Sequence, residues 1–111
     1  MGKNTLKLVL TDHWFEEIKS GRKTHEYRKA TAYWARRLAG IPKGFFNERL
    51  TKTGYKYATG YDFIEFQKAY RKNPERMTFK LLSVKTVEGI DTDLKYDGVV
   101  FDIELGDRID E

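Results

Sequence analysis

The chain has 111 residues, 40% hydrophobic and 34% charged, with a formal net charge of +4. That is the length of one domain with one core, and the composition is too apolar for a disordered segment. There is no cysteine, which excludes a disulfide framework, a thiolate metal site and a thiol nucleophile.

The charge is unevenly spread. Residues 1–60 carry 13 Lys/Arg against 5 Asp/Glu, a balance of +8, whereas residues 61–111 carry 8 against 12, a balance of −4. Clustered cations create a potential that a mixed surface cancels, so a polyanionic partner and an ordinary solvated surface are both open at this point. Two isolated histidines, His13 and His25, argue against zinc, and neither a metal nor another cofactor is expected. The apolar run from Leu6 to Leu10 is broken by Lys7 and is far too short for a signal segment or a membrane span. The expectation is a soluble cytoplasmic protein without a membrane partner.

In chain order, Leu6, Leu8 and Leu10 alternate with Lys7 and Val9, the period of a strand over 5–10. Thr11 or Asp12 then supplies an oxygen for the orphan amides of a short helix, whose Trp14, Phe15 and Ile18 form an apolar stripe. Gly21 ends it, because glycine tolerates the left-handed backbone that helix ends favour. Thr24-His25-Glu26-Tyr27-Arg28 reads as a strand. A second helix is predicted over about 31–39, with Tyr33, Trp34 and Leu38 on one side, Arg36 and Arg37 near its negative end, and Gly40 and Pro42 closing it.

Residues 40–60 hold four glycines and one proline without a sustained period. A connection this long in a compact domain is usually functional or mobile. Its Phe45, Phe46, Tyr55 and Tyr57 are interleaved with Lys43, Arg49, Lys52 and Lys56, a mixture suited to base stacking with phosphate contacts and equally to packing the loop on the core. Beyond it, a short strand over 62–66, turn residues at 72–75, a longer strand from Met77 to about Val87, an aspartate-rich connection and a final strand over 99–105 complete the chain. Val99, Phe101, Ile103 and Leu105 form the apolar set of that last strand. Five or so strands with two helices near the N-terminus fit an α+β fold, a curled sheet or partly open barrel forming a single domain over 1–111.

The chemistry-bearing stretch is Ser20 to Lys29, SGRKTHEYRK. Glu26 and Arg28 are two apart on a strand, so they share a face and pair at close range, while Tyr27 points away. With Lys23 they offer two cations for an oxyanion and one carboxylate for a base edge or a proton. A surface salt bridge of little energetic consequence is the plainer reading of the same residues.

The pattern G-x-K-x-x-E-x-R from Gly21 to Arg28, following the helix Trp14–Ser20, resembles the signature of ASCH domains. Together with Tyr33-Trp34-Ala35-Arg36-Arg37-Leu38, Tyr61–Phe66, Met77-Thr78-Phe79 and Ile103-Glu104-Leu105-Gly106, it is similar to the small stand-alone ASCH proteins of bacteria and their phages over nearly the whole chain. The resemblance implies a PUA-like pseudo-barrel of about five or six mostly antiparallel strands with two N-terminal helices. It also implies a cleft for RNA or a nucleotide lined by Lys23, Thr24, Glu26 and Arg28, to which the sequence reading adds Tyr33, Trp34 and Arg37 as ligand-binding residues. Some ASCH enzymes hydrolyse N4-acetylcytidine with a lysine, a threonine and a glutamate. Lys23 matches the lysine, but Glu26 stands where the threonine belongs.

Three functions follow as expectations. The first is a binding module for RNA or a nucleotide. The alternative is an amidohydrolase acting on an acylated nucleoside, with Lys23 and Glu26 as its catalytic groups and Arg28 holding the oxyanion. The third, a protein acting by protein contact alone, has no residue pattern in its favour.

Overall fold

A computed structural model describes residues 4–42, 44–46 and 53–110. Its elements run β1 (Thr5–Leu10), α1 (Asp12–Lys19), β2 (His25–Lys29), α2 (Ala32–Ala39), β3 (Lys56–Tyr57), β4 (Phe63–Lys68), β5 (Arg76–Glu88), a 3-10 turn (Gly89–Asp91) and β6 (Val99–Arg108). The fold is α+β with two helices and a sheet of five to six strands, as expected, and the sheet is mixed. The hydrogen-bonded strand order is β1-β4-β5-β6-β2, with β3 paired to β5. The β4–β5 pair is antiparallel, and β1 pairs with β4 in parallel, Lys7 opposite Glu65 and Val9 opposite Gln67.

The chain divides into two compact units. One comprises Met1–His25, Tyr61–Leu82 and Leu105–Glu111, and the other Glu26–Gly60 and Ser83–Glu104.

In the first unit the core is apolar. Leu6, Leu8 and Leu10 of β1, Phe15 and Ile18 of α1, Ile64 and Phe66 of β4 and Met77 of β5 are all buried, which removes several large apolar side chains from water at roughly 1.5–3 kcal/mol each. The helix begins at Thr11, whose carbonyl accepts from Phe15 N at 3.0 Å; its side chain makes no cap bond, and Asp12 supplies the acidic first turn. Asp12, Glu16 and Lys19, at positions i, i+4 and i+7, form ion pairs with Arg71, Lys68 (2.5 Å) and Glu75 (2.6 Å). A polar stripe of α1 is thereby tied to the chain around the β4–β5 turn. Gly21 (φ +86°) follows the helix, and Lys23 N donates to Glu17 O at 3.1 Å, a bond that closes the orphan carbonyls of the last turn.

In the second unit the side-chain oxygen of Thr31 accepts from Trp34 N at 3.3 Å and caps α2. Gly40, at φ +69°, closes that helix, with Ile41 N donating back to Ala35 O at 3.3 Å. Its core holds Ala35, Leu38, Val84, Val100, Phe101 and Ile103. The apolar side of α2 therefore differs from the expected one: Ala35 and Leu38 are buried, and Tyr33 is 61% exposed. Strand β6 also departs from a one-faced pattern, since Val100, Phe101, Asp102 and Ile103 are consecutive and all buried. Part of the 40–60 connection is regular, as Lys56 and Tyr57 pair with Lys85 and Val84. Lys43, Arg49 and Lys52 lie outside the described residues.

Among the described residues, no helix is long and apolar enough to cross a membrane.

Candidate functional site

Strand β2 emerges two residues after Lys23 and carries Glu26 and Arg28 on one face. Arg28 Nη1 donates to Glu26 Oε2 at 2.5 Å and to the Tyr27 carbonyl at 3.0 Å. The Glu26 side chain is 6% exposed and that of Arg28 20%, so this is not the solvated salt bridge of the plainer sequence reading. Removing a carboxylate from water costs several kcal/mol, which only a close, hydrogen-bonded partner offsets. The charge-assisted bond to Arg28 supplies one.

The same guanidinium lies over the Trp34 ring, 5.3 Å from its centroid, and Arg37 lies 5.5 Å from that centroid. Arg37 Nη1 also donates to the Tyr33 hydroxyl at 3.2 Å, and the Tyr33 and Trp34 rings meet edge to face at 4.9 Å. These contacts follow from helical spacing: Tyr33 and Arg37 are four apart and Trp34 and Arg37 three, which places them side by side on α2. Glu26, Arg28, Tyr33, Trp34 and Arg37 are thus one connected set. Two cations, a buried carboxylate, a phenol hydroxyl and two ring systems are the groups that read phosphate oxygens and base faces. Arg36 is exposed.

Tyr27 points to the other face of β2. Burial is the main cause that pushes its phenol above the ordinary tyrosine value, with the carboxylates of Asp102, Asp93 and Glu26 adding to it. Ionising this hydroxyl would place a further anion among those three.

In the first unit, Lys23 Nζ sits 4.5 Å from the centroid of Trp14, whose ring also meets His13 edge to face at 4.5 Å. A cation over an indole face is held by the ring quadrupole, and the stem of the lysine covers apolar surface. Neighbouring Glu17 has its carboxyl held below the usual carboxylate range, first by its hydrogen bond to Arg22 and more weakly by the charge of Lys23. Thr24 is exposed, and its carbonyl accepts from Leu105 N at 3.0 Å. That bond joins its backbone to β6.

Two participants escaped sequence reading. Trp14 reads as part of a packing stripe, and nothing in a spacing of nine residues across a turn signals that Lys23 stacks on it. Asp102 falls at a polar position of an alternating strand and reads as solvent-facing, yet it is 5% exposed. Among the described residues, no three His, Cys, Asp or Glu side chains gather where a metal ion could be held. A scan against models of known protein families finds no match for this chain, and neither does a search of curated proteins.

Proposed function

We propose that this chain is an RNA- or nucleotide-binding domain of the ASCH type, in which the Glu26–Arg28–Trp34–Arg37–Tyr33 set takes a phosphate and an adjoining base; Lys23 is a separate candidate phosphate contact, which rests on the sequence motif. The observation that carries this reading is the buried Glu26 carboxylate bonded to an arginine that itself lies over Trp34. An apolar pair of similar volume at these positions would serve stability equally well or better. Ligand recognition accounts for keeping the charges: Glu26 and Trp34 hold the Arg28 guanidinium in a defined plane before any ligand arrives, which lowers the ordering cost of binding. The half-exposed ring system beside it offers a base a surface on which to stack. The Gly21–Arg28 pattern and the segregated positive charge of residues 1–60 support the same reading.

The test is fluorescence anisotropy with a labelled single-stranded RNA, and with single nucleotides as competitors, across a salt series. Affinity is expected to fall steeply with salt, and Arg28→Ala or Lys23→Ala to reduce the logarithmic salt slope by about 1 each. Absence of binding at low salt, or binding unchanged in the Lys23→Ala/Arg28→Ala double variant, rejects the proposal. Release of cytidine from N4-acetylcytidine, lost in Glu26→Gln, would replace it with the hydrolase reading.

A further inference from the structure

The face of β1 and β4 that carries Lys7, Val9, Glu65 and Gln67 is the opposite one from Leu6, Leu8, Ile64 and Phe66, because side chains alternate along a strand. An open groove of about 510 Å³ lies on this face, lined by Lys7, Leu8, Val9, Glu65, Gln67 and Arg76. Leu8 has its side chain buried and contributes backbone. The volume is that of a small-molecule site, and none of these residues belongs to the set described above.

Within the groove the arginine has two polar neighbours that favour one orientation. Gln67 Nε2 donates to the Ala69 carbonyl at 2.8 Å, which orients the amide so that its oxygen accepts from Arg76 Nη2 at 3.3 Å. Ala69 is itself pinned, its N–H donating to Leu10 O at 2.8 Å. Arg76 Nε stands 3.8 Å from Glu65 Oε2, with the Arg76 side chain half exposed. The hydrogen bond to Gln67 uses one Nη2 hydrogen and the 3.8 Å ion pair uses none, so four of the five guanidinium donors are available to a ligand. A planar fork held from behind by an amide and a carboxylate is suited to receiving an oxyanion on its outer edge. Lys7 brings the ionisable lining to two cations against one carboxylate. Glu65, whose side chain is 25% exposed, is an acceptor for a hydroxyl or amine on the same ligand.

We infer that this groove is a second binding site, independent of the proposed RNA or nucleotide site, for a small molecule that carries one oxyanion beside a hydrogen-bond donor. Arg76 and Lys7 receive the oxyanion and Glu65 the donor. The shared chemistry is met by a hydroxy acid and by a phosphate monoester, and the probes separate the two.

Amide chemical shifts of the ¹⁵N-labelled chain are followed during titration with lactate, propionate, glycerol phosphate and inorganic phosphate. Saturable shifts confined to the amides of residues 7–9, 65–67 and 76 at millimolar ligand are expected, tighter for lactate than for propionate, which lacks the donor. The better of lactate and glycerol phosphate identifies the source of the oxyanion. Arg76→Gln should weaken binding at least about tenfold, as loss of a charge-assisted bond does, and Glu65→Gln should narrow the lactate–propionate difference. Arg28→Ala should leave the titration unchanged, which keeps this result separate from that of the RNA experiment. No shift at those amides up to roughly 50 mM ligand, where only sub-millimolar to millimolar affinities count as a site, overturns the inference. So does binding that survives Arg76→Gln, since that is diffuse ion association.

Discussion

The two compact units bury different chemistry. The core of Met1–His25, Tyr61–Leu82 and Leu105–Glu111 is hydrophobic, and charged side chains of that unit form a belt of ion pairs along α1 and line the groove behind β1 and β4. The second unit contains all five buried polar or charged residues found among the described ones, Glu26, Ser83, Thr86, Thr92 and Asp102. Several of these are satisfied locally: Thr92 Oγ1 donates to Gly89 O at 2.7 Å, Thr86 Oγ1 accepts from Tyr55 N at 3.3 Å and Ser83 Oγ donates to Glu104 Oε1 at 3.1 Å. Hydrophobic burial is non-directional and tolerates substitution of similar volume, whereas a buried polar set is stable only when each member keeps its partner. The contrast teaches what each unit's stability depends on: the first rests on apolar packing, and the second also depends on buried polar groups that must keep their partners.

Substitutions sharpen that contrast, beginning with the largest effect. Phe66, fully buried in the first unit, should cost about 3–5 kcal/mol when replaced by alanine, as cavity-forming changes at large core residues do. The Phe66→Leu variant should recover most of it in urea denaturation. In the second unit, Arg28→Ala removes the 2.5 Å charge-assisted bond that Arg28 gives the buried Glu26 carboxylate. The expected loss is about 2–3 kcal/mol, below the full-burial range because the Arg28 side chain is 20% exposed. Glu26→Leu combined with Arg28→Met should restore stability and, on the proposed function, abolish binding of the labelled RNA. A double variant as unstable as Arg28→Ala alone would mean that the pair is structural.

Gly89→Ala probes the backbone of the second unit. A Cβ there would stand 2.6 Å from Tyr96 O and 2.8 Å from Gly98 O, backbone atoms that cannot swing aside, so about 1–3 kcal/mol of overpacking cost is expected. A melting temperature equal to that of the native chain would show that the 89–98 connection yields easily.

The smallest effects are the titrations, and they oppose one another. In the first unit, Asp12 and Glu16 have their carboxyls lowered, chiefly by hydrogen bonds to Arg71 and Lys68. A lowered folded value means that stability is present above the ordinary carboxylate pKa and is lost as pH falls through the folded value, below about 4. Lys68→Met should flatten that acid limb slightly, since the pairs are exposed. In the second unit, Tyr27 is raised, mainly by burial. Its contribution is complete below the ordinary tyrosine pKa of about 10 and is lost as pH rises through the folded value. Tyr27→Phe should therefore flatten the alkaline limb of stability, measured by denaturant titration between pH 9 and 11, and leave the acid limb unchanged.

What the sequence determined by itself is the set of elements whose signals are local. The alternation in β1, Thr31 and Gly40 bracketing α2, Gly21 after α1 and the long β-rich run of β5 each depend on contacts within a few residues, and each lies close to where periodicity and capping place it. The same-face pairing of Glu26 with Arg28 is equally local, a consequence of strand geometry. Tertiary structure alone decided the rest. Strand β3 is two residues long and exists through its pairing with Lys85 and Val84. The parallel match of β1 with β4 joins segments some sixty residues apart, for which no local pattern exists. Whether Glu26 is a solvated charge or a buried one, whether Asp102 faces water, and whether Gln67 props Arg76 all depend on which distant groups come to surround them. A dielectric environment is a property of the packed volume around a side chain, and one-dimensional spacing does not encode it.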